Sequence, residues 1–235
     1  MTPVPATPEA IDEAARLIRS GAVIVYPTDT VYGVGADATN RDAIERLLRL
    51  KQRSPGKPLP VLVSDIAAAQ AIARFDARAE QLADAFWPGA LSLVLPLNPD
   101  ANLAPGVTAG GATVGLRVPD HPVALALLRD AGCPLAGPSA NPAGADSPID
   151  AHSITAGLGE AVAMILDAGA SPGGTASTVL DLSTPLARIL RLGAVTRAEL
   201  KTVLGAPLGA PRCRPRPRAE ASVGGSAVGV RISPA

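Results

Sequence analysis

Residues 22–33 read AVIVYPTDTVYG, a short apolar run followed at once by a polar turn. A continuous apolar run of this length, bounded by turn residues, predicts a buried strand at 22–26. Thr28, Asp29 and Thr30 follow the predicted end of that strand, which is where α/β sheets bind their ligands. An ordinary Asp/Thr turn explains the same residues, so the stretch leaves both a ligand site and a structural turn open.

Helical and strand-like patterns alternate around this stretch. A sheet interleaved with helices predicts an α/β domain. Several strands are joined by links too short for a helical crossover, so the sheet should be mixed. Helices are predicted at 9–20, 40–50, 65–73, 76–87, 122–131, 151–158 and 196–204, and further strands at 59–63, 91–95, 113–118, 134–137, 162–166, 177–182 and 186–191.

Composition excludes several classes of protein. Hydrophobic residues make up 47% of the 235 residues, enough for a folded core. The two cysteines lie far apart in sequence and neither belongs to a CxxC, and neither histidine has candidate ligands or nucleophiles around it, so a disulfide framework, a zinc site and a Ser-His-Asp hydrolase are unsupported. The N-terminus lacks a secretory pattern and no apolar run could span a bilayer, so we expect a cytoplasmic protein that binds no membrane.

Charge and proline content change near residue 205. Residues 206–235 contain five arginines and one glutamate, a net +4, so the other 205 residues carry −4. Many prolines and glycines without apolar periodicity predict a disordered tail at 206–235 after one domain at 1–205. A net negative domain argues against a dedicated RNA-binding protein, although an RNA contact through a local patch or the tail stays open.

Two groups of cationic residues are candidate anion sites. Lys51, Arg53 and Lys57 follow a predicted helix, where they would bind a triphosphate or simply remain solvated at the helix end. Arg117 lies in an apolar strand pattern, where it would face water from an edge strand or point into a cleft to meet a carboxylate. Walker and Rossmann glycine patterns are absent, so any nucleotide must bind by another arrangement.

Six short motifs occur in one order along the chain. They are PTDTVYG at 27–33, K-x-R at 51–53 with Lys57, Arg117 followed by PDHP at 119–122, PSAN at 138–141, STVLD at 177–181 and ILRxG at 189–193. Together they resemble the YrdC-like family of threonylcarbamoyl-AMP synthases. The resemblance implies a single α/β domain with a twisted mixed sheet, flanked by helices, around an open basic cavity.

The resemblance also implies a reaction and its ligands. The family makes threonylcarbamoyl-AMP and pyrophosphate from L-threonine, bicarbonate and ATP, with magnesium, for tRNA modification by downstream threonylcarbamoyl-transferase proteins. No residue is expected to act as a covalent nucleophile or acid/base. The residues of this sequence that match ATP-binding positions of the family are Lys51, Arg53, Lys57, Thr113, Ser139, Asn141, Ser147 and Arg191. Matching positions that bind threonine are Thr30, Arg117, Gly137 and Ser177.

Three departures from the family motifs leave the charged groups in place. Pro55 comes one position late after K-x-R, Ala143 replaces a serine, and Leu192 replaces a proline. The long relatives carry a second C-terminal domain, so this chain is expected to be the short form. The alternatives are an RNA-binding YrdC-like module without synthase activity and a carbamoyl-transferring domain like that of hydrogenase maturation proteins.

Overall fold

The computed structural model describes residues 2–52, 56–142, 145–154, 158 and 161–209. Strands and helices alternate along the chain, as the sequence predicts. The strands are β1 (Val4–Pro5), β2 (Ile24–Tyr26), β3 (Gly33–Asp37), β4 (Pro60–Leu62), β5 (Leu91–Pro96), β6 (Thr113–Arg117), β7 (Leu135–Ala136), β8 (Met164–Asp167), β9 (Thr178–Asp181) and β10 (Arg188–Arg191). The helices are α1 (Pro8–Arg19), α2 (Arg41–Leu50), α3 (Ile66–Ile72), α4 (Ala77–Phe86), α5 (Pro105–Thr108), α6 (Pro122–Ala131) and α7 (Arg197–Leu204).

The strands form one mixed sheet in the order β1-β8-β2-β3-β7-β4-β6-β5-β9-β10. Parallel pairs such as β4 with β6 and β5 with β9 alternate with antiparallel pairs such as β2 with β3 and β5 with β6. The prediction of a mixed α/β sheet is therefore confirmed. β6 lies inside the sheet between β4 and β5, which determines the setting of Arg117.

Helix ends lie where the capping residues predict them. The Thr7 side chain accepts a hydrogen bond from the amide of Ala10, and the Asn40 side chain accepts one from Ala43. Thr196 and Glu199 form a reciprocal capping box at the start of α7. Each side chain satisfies a backbone donor that the first turn would leave without a partner.

Strand β3 was not predicted, because glycine weakens a strand pattern. Its residues Gly33 and Gly35 lie against the ring of Tyr26 on the neighbouring strand. A Cβ at Gly35 would lie 2.8 Å from a Tyr26 ring carbon, and one at Gly137 would lie 2.4 Å from the Tyr26 hydroxyl. The glycines thus make room for a fully buried aromatic ring.

Two other predictions need correction. Within the predicted helix 151–158, the described residues form only a 3₁₀ turn at His152–Ile154. The predicted domain end at residue 205 comes too early, because Leu208 is buried and Gly209 pairs with Arg188. Most of the predicted tail, residues 210–235, lies outside the described residues.

Apolar side chains cover both faces of the sheet. Helices α1 and α6 pack together on one face, where Ile18 and Leu127 join Ile24 and Leu166 in one cluster. Helices α2, α3 and α4 contribute to the larger cluster on the other side, which includes Leu47, Leu82 and Leu116. In the part of the chain that the structure describes, no helix is long and apolar enough to cross a membrane.

Candidate active site

The polar clusters that the sequence scatters along the chain meet at one place. The Tyr32 amide donates to the carbonyl of Pro148, and the Tyr32 carbonyl accepts from Ala140. The Asp29 carbonyl accepts from the amide of Gly173 at 3.0 Å. Backbone hydrogen bonds therefore join the 27–33 turn to the 138–148 segment and to the glycine-rich entry into β9.

Arg117 lies at the centre of this region with 6% of its surface exposed. Its Nε donates to the Gly89 carbonyl at 2.8 Å, and NH1 donates to Oγ1 of Thr30 at 2.9 Å. NH2 donates to Oδ1 of Asp29 at 2.5 Å, in an ion pair whose side chains are 7% and 12% exposed. The alternative of a water-facing arginine on an edge strand is wrong, because β6 has neighbours on both sides.

The three contacts leave part of the guanidinium available. Arginine has five N–H donors, of which one is on Nε and two are on each terminal nitrogen. Among the contacts of the described residues three are used, which leaves one hydrogen on Nη1 and one on Nη2. Guanidinium hydrogens on two nitrogens bind a carboxylate bidentately when they point the same way. Arg117 thus pairs with Asp29 and keeps donors for a further acceptor.

The Thr28–Thr30 turn presents hydroxyl groups beside that guanidinium. Oγ1 of Thr28 and Oγ1 of Thr30 are 3.0 Å apart, and both side chains are buried. Thr28 Oγ1 also donates to the carbonyl of Val31 at 2.6 Å. The turn is thus the tightly bonded structure that one alternative predicted, and it places hydroxyls next to Arg117; ligand binding by the turn stays a prediction.

Arg191 brings a second guanidinium to the site from strand β10. Its Nε and NH2 donate to the Ser177 carbonyl at 3.1 and 2.8 Å, and NH2 also donates to Ser177 Oγ at 3.1 Å. Partial desolvation of the guanidinium and the positive charge of Arg117 lower the pKa of Arg191. The two arginines are therefore close enough to repel each other, which favours an anionic ligand between them.

Lys51 has a structural function in addition to any contact with ATP. The side chain is 6% exposed, and its Nζ donates to the carbonyl of Ser139 at 2.6 Å and to the carbonyl of Asn141. Ser139 Oγ donates to Oδ1 of Asn141 at 2.5 Å. Lys51 thereby ties the end of α2 to the 138–141 loop, and a direct contact with phosphate stays a prediction.

The remaining predicted residues lie on several elements. Lys57 is exposed, and Thr113 is partly buried at the opposite end of β6 from Arg117. Asn141 and Ser147 line a cavity of about 580 Å³ with Asp146, Asp150 and Leu158. The Gly137 amide donates to the Pro60 carbonyl, so this N–H is already used within the sheet. Arg53 lies outside the described residues.

Sequence reasoning missed Ser92 and did not predict the partners of Asp29 and Thr28, which it had named only as turn or ligand residues. Asp29 pairs with Arg117, Thr28 bonds to Thr30, and Ser92 lies 3.0 Å from Ser177 through their hydroxyl oxygens. The signal for Ser92 is a hydroxyl within the apolar run of β5, where it is 5% exposed. The partner of Asp29 has no local signal, because Arg117 is 88 residues away along the chain.

The network around Arg117 and Arg191 consists of two guanidinium groups, the Asp29 carboxylate, hydroxyls and backbone groups. Among the described residues, no cluster of three histidine, cysteine, aspartate or glutamate side chains could hold a metal ion. His121, next to Asp120 at the start of α6, is half-buried, and its burial lowers the pKa of the imidazole. Such an arrangement binds anions and orients them, which is catalysis by positioning and charge stabilisation.

Comparisons with known proteins agree with this geometry. The Sua5/YciO/YrdC family model, described as "Telomere recombination", matches residues 16–193, most of the chain. The chain belongs to this family. The matched residues include the Thr28–Thr30 turn, Arg117, Ser177 and Arg191, so the family domain contains the whole network around the two arginines.

Relatives in the Sua5/YciO/YrdC family differ in length. The threonylcarbamoyl-AMP synthase of Bacillus subtilis (strain 168) is 43% identical over 196 residues, which cover 83% of this chain and 56% of that protein. A relative from Mycobacterium tuberculosis (strain CDC 1551 / Oshkosh) is 42% identical over 196 residues, covering 83% of this chain and 89% of its own. This chain thus spans little more than half of the first and most of the second.

A solved structure supports the same placement. The crystal structure of P. abyssi Sua5 complexed with L-threonine superposes with a TM-score of 0.80 at 36% identity. The match covers 83% of this chain and 57% of that one. The fold of the YrdC-like family expected from the motifs is therefore confirmed.

Proposed function

We propose that this chain makes threonylcarbamoyl-AMP and pyrophosphate from L-threonine, bicarbonate and ATP. The proposal is supported by the family, by the names of relatives at up to 43% identity and by the threonine complex of a related structure. The observation that carries it is Arg117, which keeps one free hydrogen on each terminal nitrogen at the centre of a buried polar site.

Arg117 and Thr30 would hold threonine. The two remaining donors of the guanidinium would bind the carboxylate of the amino acid, leaving the amine to react. Thr30 Oγ1 lies 2.9 Å from NH1 of Arg117, close to where the amine or hydroxyl of a bound amino acid would lie. Ser177 and the backbone at Gly137 complete the proposed threonine site.

ATP would bind on the other side of the same site. Arg191, Lys57 and Arg53 are the cations proposed to contact its phosphates, with Lys51 supporting the adjoining loop. The cavity lined by Asn141 and Ser147 is open beside that loop and large enough for part of a nucleotide. Thr113 and Ser139 are the remaining proposed ATP contacts.

The proposed reaction has two steps. The threonine amine attacks the carbon of bicarbonate, a C–N bond forms and water leaves, which produces a carbamate. A carbamate oxygen then attacks the α-phosphate of ATP and pyrophosphate leaves. Every reactant carries negative charge near the reacting atoms, so clustered arginines and hydroxyls lower the barrier without a covalent nucleophile.

Magnesium is proposed to arrive with ATP. Mg²⁺ keeps several waters and is usually bound through substrate phosphates with one or two carboxylates. The described residues contain no group of three metal-binding side chains, which suits an ion held mainly by the triphosphate. The ion would neutralise charge on the leaving pyrophosphate.

Pyrophosphate release tests the proposal. The purified chain should release pyrophosphate from ATP and magnesium only when threonine and bicarbonate are both present. Omitting either one, or replacing threonine by glycine, provides the matched control. Release without threonine, or no release with all substrates, would contradict the proposed activity. RNA binding by a chain without this activity would favour the RNA-binding module instead.

The product would be used in a later step. Threonylcarbamoyl-AMP is a mixed anhydride that transfers its acyl group, and we propose that tRNA threonylcarbamoyl-transferase proteins receive it. An RNA contact of the chain itself stays a prediction.

A further inference from the structure

Asp29 is tied to its surroundings through both its side chain and its backbone. The side-chain Oδ1 accepts from Nη2 of Arg117 at 2.5 Å and from the backbone amide of Asp120 at 3.1 Å. The Asp29 carbonyl accepts from the amide of Gly173 at 3.0 Å. The backbones are so close there that a Cβ at Gly173 would lie 2.4 Å from the carbonyl oxygen of Asp29. One oxygen of the carboxylate is therefore fully used in holding the site together.

The other carboxylate oxygen of Asp29 is open to a ligand. Oδ2 makes no hydrogen bond to any described residue. It is also not one of the buried side-chain atoms that lack a partner in the described part of the chain. A polar atom that is neither hydrogen-bonded nor buried is in contact with solvent. Although the side chain as a whole is only 12% exposed, Oδ2 is therefore an accessible acceptor next to Arg117.

The Arg117 guanidinium offers the complementary donors. Its contacts with described residues use three of its five N–H hydrogens and leave one each on Nη1 and Nη2. The ion pair thus presents a positively charged donor and a negatively charged acceptor on adjacent groups. An α-amino acid carries its ammonium and its carboxylate on one carbon atom, so both of its charged groups can reach the pair at once.

The charge of the site makes a carboxylate necessary for an ammonium ligand. Partial desolvation lowers the pKa of Arg191, and the nearby charge of Arg117 lowers it further. Two guanidinium groups so close together attract the carboxylate of an amino acid and repel its ammonium. Within the described part of the chain, Asp29 is the only carboxylate hydrogen-bonded to either arginine. Asp29 therefore supplies the negative charge that an ammonium beside two cations requires.

We propose that Asp29 is a specificity-determining residue, whose Oδ2 accepts a hydrogen bond from the α-ammonium group of the amino-acid substrate. Arg117 binds the carboxylate of the same molecule, so the site selects free α-amino acids over carboxylates that lack an amine. After the ammonium has lost a proton, an N–H that still donates to Oδ2 leaves the nitrogen lone pair free for bicarbonate. This inference rests on the proposed function, because threonine is the proposed substrate.

Two ligands separate this contact from a purely structural role of Asp29. L-Threonine and (R)-β-hydroxybutyrate differ only in the amino group. Asp29→Asn keeps an oxygen that can accept from Arg117 but replaces the other oxygen by an amide nitrogen, which donates. We expect calorimetry to show that the Kd for threonine rises at least about tenfold, while the Kd for (R)-β-hydroxybutyrate changes by less than about threefold.

Asp120→Asn is the matched control for the loss of charge. It removes the same charge from an exposed neighbouring side chain and keeps the backbone amide that donates to Asp29. The threonine Kd of this variant should stay within about twofold of the wild-type value. Equal weakening of both ligands in Asp29→Asn would show that Asp29 acts only through Arg117, and an unchanged threonine Kd would exclude the contact. Either result would overturn the inference.

The wild-type chain provides a test that does not depend on the folding of a variant. (R)-β-Hydroxybutyrate should bind at least about tenfold more weakly than threonine, and equal affinity would overturn the inference. If Asp29→Asn does not fold, Asp29→Glu replaces it, because it keeps the charge but moves the carboxylate. The Glu variant should weaken threonine binding more than (R)-β-hydroxybutyrate binding, and equal weakening of the two would again overturn the inference.

Calorimetry and pyrophosphate release together distinguish failure of this inference from failure of the proposed function. A chain that binds threonine with the expected preference over (R)-β-hydroxybutyrate, but releases no pyrophosphate with all substrates present, would contradict the proposed function and support the ammonium contact. A chain that releases pyrophosphate, but whose Asp29→Asn variant shows an unchanged preference, would contradict the ammonium contact alone. No threonine binding by the wild-type chain would overturn both.

Discussion

The two cationic sides of the site differ in how the fold holds them. Arg117 is buried, bonded through three of its nitrogen-bound hydrogens and paired with Asp29. Arg191 and Lys57 are exposed, and Arg191 bonds chiefly to one backbone carbonyl. The first side is buried and ion-paired, whereas the second is more exposed to solvent. Removing a positive charge should therefore lower the free energy of unfolding more on the Arg117 side than on the Arg191 side.

The largest difference between the two sides is expected in the stability lost when each arginine is removed. Arg117→Ala leaves the Asp29 carboxylate buried without its partner, so we expect the free energy of unfolding to fall by about 3–5 kcal/mol. Arg191→Ala removes only hydrogen bonds at an exposed position and should cost about 1 kcal/mol or less. Urea denaturation of both variants measures the difference. Equal losses would show that the two sides are held alike.

Gly137 tests whether backbone packing at Tyr26 supports the buried side. A Cβ there would lie 2.4 Å from the Tyr26 hydroxyl, so Gly137→Ala should destabilise the chain by up to about 3 kcal/mol. The Tyr26 hydroxyl is buried without a hydrogen-bond partner among the described residues. Tyr26→Phe alone should therefore be close to neutral, and it should recover part of the loss in the double variant. If thermal melts of the double variant show no recovery of stability, contact with the Tyr26 hydroxyl is not the source of the strain in Gly137→Ala.

The C-terminal boundary tests the folded extent of the domain. A stop after Gly205 removes buried Leu208 and the pairing of Gly209 with Arg188, so stability should fall by about 2 kcal/mol. A stop after Gly209 keeps those contacts and should melt with the full chain, since the Pro/Arg/Gly-rich remainder has little apolar surface to bury. Calorimetric scans compare them. Identical melting of both truncations would restore the boundary at residue 205.

The smallest expected effects are changes in the affinity for threonine or ATP when residues on one side of the site are replaced. Arg117→Lys keeps the charge but loses the bidentate geometry, so the Kd for threonine should rise about tenfold while ATP binding changes little. Lys57→Ala and Arg53→Ala should show the reverse pattern, each weakening ATP binding by about 1 kcal/mol. Isothermal titration with each ligand measures both. If Arg117→Lys binds threonine with wild-type affinity, the Arg117 guanidinium does not bind the threonine carboxylate.

Local signals predicted much of the fold. Helices α1, α2 and α7 begin within one residue of the starts predicted at 9, 40 and 196. Strand β3 was not predicted because its glycines have low strand propensity. Glycine is needed there because the Tyr26 ring on the neighbouring strand leaves no room for a side chain, and no local sequence pattern shows that contact.

For the site as well, some features were predicted from the sequence and others were not. The resemblance to the family motifs assigned Arg117, Thr30, Ser177 and Arg191 to the site, and Arg117 also stood out as a charge within an apolar strand pattern. The hydrogen-bond partners of those residues could not be predicted. Ser92 contacts Ser177 because β5 and β9 are neighbours in the sheet, and Asp29 reaches Arg117 from the turn between β2 and β3.

The sequence by itself determined the family, the α/β class and the cationic character of the site, since periodicity, caps and short motifs are local properties of the chain. Only the tertiary structure decided that Arg117 is buried against Asp29, that Lys51 holds the 138–141 loop and that the Thr28 and Thr30 hydroxyls lie 3.0 Å apart. The reason is physical: burial, ion pairing and hydroxyl contacts depend on atoms brought within about 3 Å by folding.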